Sequence, residues 1–180
     1  MKILRPVLSL ASLLYFALAA NAAPLPNPIS LGVHAGTGIL GDGGGAQIDL
    51  GVDGSYDLSA PFFVAAGFSW INQGNIQSST VNTSGSLYLL DGSMNLDTSG
   101  IVPDTFAGLA IGLQFNHTSV SAGTINASTT DTSLIVGPRI GYDYALSSSF
   151  TIGGEGDLFI TTGSNSPNVL QLIAVLKLWL

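Results

Sequence analysis

The chain has 180 residues, only 8% of them are charged, and its mean hydropathy is +0.48. A surface that faces water normally carries far more charge, so part of the exterior is predicted to face something other than water. Eleven Asp and Glu residues stand against four Lys and Arg residues, which excludes the clustered cations that nucleic acids and bare anionic membrane surfaces require.

The N-terminal segment has the features of a secretory signal peptide. After a basic start come an apolar run over residues 7–20 and the sequence Ala20-Asn21-Ala22, with small residues at the two positions that a signal peptidase reads. The run is shorter than the ~20 residues of a membrane-spanning helix. We therefore expect a signal peptide over residues 1–22 and a mature domain over residues 23–180.

The mature domain keeps two cationic side chains, Arg139 and Lys177, and it has no cysteine. Disulfides and thiolate metal sites are thereby excluded. After the signal peptide, no stretch reaches the ~18 apolar residues of a transmembrane helix. We expect no metal, no cofactor and no helical membrane anchor.

Apolar and polar residues alternate with a period of two in eight segments, a pattern typical of strands whose two faces meet different surroundings. In chain order the segments are 28–39, 46–57, 61–71, 85–96, 104–117, 131–144, 149–162 and 168–180. Most exceed the ~5–6 residues of strands in soluble sheets and reach the ~9–11 residues that a tilted membrane strand needs.

The last segment shows the two faces most clearly. Leu170, Leu176 and Leu178 share one face, and Gln171 and Lys177 share the other. We expect the apolar face to meet hydrocarbon and the polar face to point into an interior.

The connections between segments alternate in character. Short turns are expected at 58–60, 97–103 and 145–148, and longer polar loops at 40–45, 72–84, 118–130 and 163–167. This alternation is typical of a membrane barrel with turns on the periplasmic side and loops outside.

Aromatic residues cluster at the ends of the segments. Those beside short turns are Tyr56, Phe62, Phe106, Tyr142, Tyr144 and Phe150, and those nearer the loops are Trp70, Tyr88 and Phe115. Because Tyr, Trp and Phe favour the membrane interface, we interpret these nine as two aromatic girdles. A soluble core would also hold aromatic residues, but it would not need them sorted to the strand ends.

The passage "GPRIGYDYALSSSFTIGGEGDLFI" resembles the recurrent unit of strand, tight turn and strand in the small outer-membrane barrel superfamily that includes the membrane domain of outer membrane protein A, and "GVDGSYDLSAPFFVAAGFSW" repeats the scheme less closely. The resemblance implies an all-β, eight-stranded, antiparallel up-and-down transmembrane β-barrel in a bacterial-type outer membrane. It also implies contact with membrane lipid, including lipopolysaccharide, and with periplasmic chaperones and the barrel-assembly machinery. Family members usually end in Phe, whereas this chain ends in "KLWL".

A barrel of eight strands has an interior that side chains fill. With the sixth turn centred on residue 147, Arg139 is expected opposite Glu155, and Lys177 diagonal to Glu155. Further inward candidates are Asp157, Gln114, His34, Asp49 and Asp53. This lumen network is either a structural polar core or the gated path of a narrow, porin-like channel.

The sequence "FNHTS", residues 115–119, contains the one pair that suggests catalysis. His117 and Ser119 are two residues apart and share a strand face. They resemble the pair in outer-membrane lipid A deacylases, where a His activates a Ser nucleophile, although no acidic residue beside them could orient the His. A polar cluster at the edge of a loop is the competing interpretation.

The leading hypothesis is therefore a small non-enzymatic outer-membrane barrel with a structural, envelope or surface-interaction role. Three alternatives remain open: a barrel esterase that uses His117 and Ser119, a narrow channel, and a secreted soluble β-sandwich or lipocalin-like binder.

Overall fold

The computed structural model describes residues 28–41, 45–77, 81–163 and 166–180. The predicted signal peptide lies outside these residues. Eight strands follow one another: β1 (Ile29–Leu40), β2 (Gly45–Ser59), β3 (Phe62–Gln77), β4 (Asn82–Asp97), β5 (Thr105–Ala122), β6 (Ile125–Ala145), β7 (Phe150–Thr161) and β8 (Val169–Trp179).

Each strand pairs antiparallel with the next, and β8 pairs antiparallel with β1, so the sheet closes into a barrel. Closure leaves the sheet without an edge around its circumference, which satisfies the backbone groups where no water can reach them. The predicted eight-stranded up-and-down barrel is confirmed. Within the described residues, no helix has the length and hydrophobicity to cross a membrane.

The alternating pattern places apolar side chains on the outside of the barrel. Leu109 is 66% exposed and Ile140 is 63% exposed, whereas Arg139, directly before Ile140, is 6% exposed. Large apolar side chains share the exterior all the way around, for example Leu31, Val52, Phe68, Leu90, Ile111, Val136, Leu158 and Leu176. A soluble sandwich or lipocalin-like binder would show a polar exterior, so that alternative is wrong.

The two ends of the barrel differ. The connections β2–β3, β4–β5 and β6–β7 lie at one end, here called the turn end, together with the beginning of β1 and the end of β8. The other four connections lie at the opposite end, here called the loop end. This arrangement follows from the even number of strands.

At the loop end, β3 extends beyond its pairing with β2, β6 extends beyond its pairing with β7, and β4 and β5 extend with them. The last β6–β7 pair is Ile135 with Thr161, while β6 pairs with β5 as far as Ile125. The β5–β6 hairpin therefore projects roughly 30 Å along the strand, at ~3.3 Å per residue. The prediction of loops over 72–84 and 118–130 is wrong, because strand pairing covers most of both segments.

Candidate functional site

The polar side chains of the lumen form three groups. The arginine centre consists of Arg139 with Asp157, Asp91 and Ser93. Arg139 Nε donates to Oδ1 of Asp157 over 2.6 Å, and Arg139 Nη2 donates to Oδ1 of Asp91 over 2.8 Å. Nη1 donates to Ser93 Oγ over 3.0 Å. One guanidinium therefore joins β6 to β7 beside it and to β4 across the lumen.

The expected pairing of Arg139 with Glu155 is wrong by two residues. Arg139 pairs with Asp157, and Glu155 lies opposite Gly141. The difference arises because the β6–β7 turn covers residues 146–149, so its centre is later than we assumed. A shift of two keeps the same side chains inside, and both acidic residues face the lumen.

The lysine centre lies nearer the turn end. Lys177 Nζ is 2.8 Å from Oδ2 of Asp143 and 3.0 Å from Oε1 of Glu155, and Lys177 is 4% exposed. The ammonium also lies 5.3 Å from the centre of the Phe106 ring, within the range of a cation–π contact. The expected proximity of Lys177 and Glu155 is confirmed.

The histidine centre lies on β1, β2, β3 and β8. Nε2 of His34 is 2.9 Å from Ser69 Oγ, and Nδ1 is 3.3 Å from Asp53 Oδ2. The side-chain amide of Gln171 donates to Asp49 Oδ2 over 2.5 Å and to Ser69 Oγ over 3.0 Å. His34, Asp49 and Asp53 are thus brought together, as expected from their parity.

The order Ser69, His34, Asp53 is that of a hydrolase triad. Ser69 is 3% exposed, however, and its hydroxyl also accepts a hydrogen bond from Gln171. A substrate has no access to this hydroxyl, so we interpret the histidine centre as a structural network.

An apolar cluster closes the lumen beyond the polar groups. Its members are Leu40, Ile71, Leu87, Leu89, Ala110, Ile135, Phe159 and Val169. All but Ala110 lie on the loop-end side of a polar lumen residue of the same strand, and Ala110 is the register partner of Ser93. We call this cluster the apolar plug. On the loop-end side of the plug, the side-chain amide of Gln114 donates to the carbonyl of Pro167 over 3.2 Å. This hydrogen bond joins Pro167, in the β7–β8 connection, to β5.

The turn end is more open. A cavity of about 380 Å³ is lined there by polar and aromatic side chains, including Asp57, Asp143, Lys177, Phe63, Phe106 and Trp179. Its inner wall is the lysine centre. Lys177 and Asp143 therefore belong both to the ionic network and to the lining of this cavity.

Most of the predicted girdle residues face outward. At the turn end Tyr56, Tyr142, Tyr144 and Phe150 are exposed and Phe62 is half-buried; at the loop end Trp70, Tyr88 and Phe115 are half-buried on the outward face. The assignment of Phe106 is wrong, because Phe106 is 5% exposed and packs edge-to-face on Phe63 inside the barrel. Sequence reasoning missed Phe68, which is exposed and stacks on Tyr88.

His117 and Ser119 share the outward face of β5, as predicted, but they do not form a nucleophile–base pair. Nδ1 of His117 is 2.9 Å from Oγ1 of Thr130, its register partner on β6. Within the described residues, Ser119 has no side-chain hydrogen bond to His117. Asp131, the acidic residue beside Thr130, lies on the opposite face of the sheet because its parity is opposite.

Four polar residues of the three centres escaped the sequence analysis: Asp91, Ser93, Asp143 and Ser69. Asp143 has the same parity as Arg139 on β6, a signal that was sufficient to find it. Asp91 lies in the segment "LYLLDG", where apolar residues occupy both faces and hide the parity. Within the described ranges, no three His, Asp or Glu side chains are placed to hold a metal ion.

The chain thus forms a closed antiparallel barrel with an apolar exterior and charged side chains inside. Neisserial surface protein A is similar over 84% of this chain and 97% of its own, with a TM-score of 0.64 and 15% identity. The attachment invasion locus protein Ail of Yersinia pestis is similar over 84% and 96%, with a TM-score of 0.61 and 14% identity. The chain has the fold of the small outer-membrane β-barrels.

A third solved barrel is a major outer membrane protein from Thermus thermophilus, with a TM-score of 0.60, 13% identity, and coverage of 83% of this chain and 98% of that one. No protein-family model matches the sequence, and a search of curated proteins gives no match. At these identities the likeness shows the fold of an outer-membrane β-barrel, and it agrees with the predicted location in a bacterial outer membrane.

Proposed function

We propose that this outer-membrane β-barrel is a non-enzymatic envelope protein whose lumen is a structural core and whose contacts are made by its outer surface. The main support for this proposal is that side chains fill the cross-section of the lumen. The arginine centre spans the lumen from β6 and β7 to β4, and the apolar plug lies above it.

A channel needs a continuous polar path, and the apolar plug interrupts it. Its members Ile71, Leu87, Leu89, Ile135, Phe159 and Val169 have no exposed surface. Ions that entered the turn-end cavity would meet Lys177 and its two carboxylates and then the arginine centre. A conducting state would require both ionic centres and the plug to rearrange together.

The outer surface carries no Lys or Arg side chain within the described residues, because Arg139 and Lys177 are both buried in the lumen. A structure of Ail in complex with the heparin analogue sucrose octasulfate has been solved. Polysulfated saccharides bind through cationic side chains, so we infer that this chain does not share such a ligand. Its lipid contacts, including those with lipopolysaccharide, must use other chemistry.

The apolar exterior also requires partners before the barrel reaches its membrane. Exposed Leu, Ile and Val side chains would aggregate in an aqueous compartment. Periplasmic chaperones and the barrel-assembly machinery are therefore proposed as transient partners of the unfolded chain.

Conductance in planar bilayers tests the closed lumen. The mature barrel and the variant Arg139→Ala are compared after each has shown heat-modifiable migration on a gel, which confirms that it is folded. We expect no discrete openings in either form, because the apolar plug remains in both. Stepwise openings in the wild-type barrel would overturn the proposal and favour a channel.

A further inference from the structure

The outward face of β4, β5 and β6 changes from apolar to polar along the barrel axis. These strands pair without a bulge, so their outward side chains form rows of three. From the turn end the rows are Leu96–Ala107–Ile140, Met94–Leu109–Pro138, Gly92–Ile111–Val136, Leu90–Leu113–Leu134 and Tyr88–Phe115–Thr132. Four apolar rows thus end at a row with two aromatic side chains.

Three more rows continue the same face toward the loop end. They are Ser86–His117–Thr130, Ser84–Ser119–Ser128 and Asn82–Ser121–Asn126. We call these nine residues the rim face. All nine are polar, none is an acid, a lysine or an arginine, and each is exposed or half-buried.

The height of the rim face follows from the strand geometry. The eight residue steps from Tyr88 to Leu96 cover roughly 27 Å along β4, or about 20 Å of height at a tilt of about 40°. The hydrocarbon-facing band of such barrels is ~25 Å tall. The aromatic row therefore lies at the outer interface, and the rim face covers the next ~15 Å, beginning at the level of the lipid headgroups.

The polar groups of the rim face are available for ligands. His117 and Thr130 bond to each other, and within the described part of the chain the other seven side chains have no side-chain hydrogen bond. Hydroxyl and amide groups both donate and accept hydrogen bonds. A flat surface of such groups matches a partner that also presents hydroxyls, and it offers nothing to a phosphate that requires a cation.

We propose that the rim face binds the uncharged sugar residues of glycolipids in the outer leaflet of the membrane. The hydroxyls and amides bond to sugar hydroxyls, and the Tyr88 and Phe115 rings below them pack against the apolar faces of the first sugars. The rim face is continuous with the lipid-facing exterior, so a glycolipid whose acyl chains lie on the apolar rows has its headgroup directly on the rim face. This inference rests on the proposed function only in placing the barrel in an outer membrane.

The test uses the mature barrel in phosphatidylcholine nanodiscs that contain a minor fraction of the neutral glycolipid digalactosyl diacylglycerol. Native mass spectrometry measures the ratio of glycolipid to phosphatidylcholine that stays bound to the barrel. Ser119→Ala with Ser128→Ala removes one register pair of hydroxyls from the rim face. The matched control, Thr118→Ala with Thr129→Ala, removes a register pair from the opposite face of the same two strands.

We expect the wild-type barrel and the control variant to retain glycolipid in excess over phosphatidylcholine. In the rim variant we expect the ratio of bound glycolipid to bound phosphatidylcholine to fall about fivefold, as the loss of two neutral hydrogen bonds implies. No excess in the wild type, or an equal loss in both variants, would overturn the inference. Cross-linking between copies through Asn126→Cys, without glycolipid retention, would assign the face to a second copy and also overturn it. Conductance of the same preparations tests the proposed function separately, since the rim face lies outside the lumen.

Discussion

Arg139 and Asp157 are register partners on β6 and β7, and two hydrogen bonds of 2.6 and 3.3 Å join the guanidinium to the carboxylate. The same guanidinium reaches Asp91 on β4, which is not a neighbour of β6. Three strands are therefore held by one side chain at the centre of the lumen. Burying three charges is costly unless each is paired, and here each has a partner.

Replacing Arg139 by Met is expected to destabilise the barrel by about 3–5 kcal/mol, because two buried carboxylates lose their counter-charge. Urea unfolding in lipid vesicles, followed by gel migration of the folded form, measures the loss. Adding Asp91→Asn and Asp157→Asn to Arg139→Met should recover more than half of it, since no uncompensated charge remains. Equal stability of the single and triple variants would contradict this account of the arginine centre.

Phe106 and Phe150 provide a matched pair of aromatic side chains at the turn end, one inside and one outside. Phe106→Ala enlarges the turn-end cavity beside Lys177 and removes the contacts of Phe106 with Phe63 and Lys177, whereas lipid fills the space left by Phe150→Ala. We expect the Phe106 variant to be less stable than the Phe150 variant by about 2 kcal/mol, because buried aromatic contacts are lost and no lipid replaces them. The same unfolding assay compares them, and equal losses would place Phe106 in contact with lipid.

Gly51 leaves room for the histidine centre. A Cβ at this position would overlap the carbonyl oxygen of Phe68 and Nε2 of His34, whereas a Cβ at Gly54, on the same strand, would meet only ordinary contacts. Gly51→Ala is expected to cost about 1–3 kcal/mol, the range for an overpacked interior, and Gly54→Ala much less. Tolerance of both substitutions in the unfolding assay would show that His34 can move without loss.

Ser119→Ala also tests the esterase alternative. Because His117 bonds to Thr130 and not to Ser119, we expect the acyl-chain content of lipid A to be the same in cells that carry the wild-type barrel or the variant. Mass spectrometry of extracted lipid A makes the comparison. An acyl chain lost only with the wild-type barrel would establish the enzyme.

The number of strands, their order and the inward parity could be predicted, because an inside-out barrel imposes a period of two on every strand. The contact of Lys177 with Glu155 followed from that parity. The register of Arg139 did not, since a slip of two residues leaves every side chain on its own face. The turn geometry of residues 146–149 decides the register, and the hydrophobic pattern carries no information about it.

The projecting parts of β5 and β6 could not be predicted for a related reason. Residues 118–130 carry polar side chains on both faces, so apolar alternation has no contrast there. Thr and Val nevertheless favour extended backbone, and pairing with a neighbour completes the strand. Phe106 was misplaced because an aromatic residue at a strand end was assumed to face lipid, although its parity is that of the inward Gln114.

The enclosure of Arg139 and Lys177 determines how the protein responds to dissolved salt. Ions in the medium weaken attractions between groups that water surrounds, over a screening length of ~10 Å at 0.1 M, but they act much less on pairs that are shut away from it. The ion pairs of Arg139, which is 6% exposed, are therefore screened little, whereas the partner of Lys177, Asp143, borders the turn-end cavity and is screened more. Dissolved salt is therefore expected to weaken the link between β6 and β8 through Lys177 more than the links that Arg139 makes to β4 and β7.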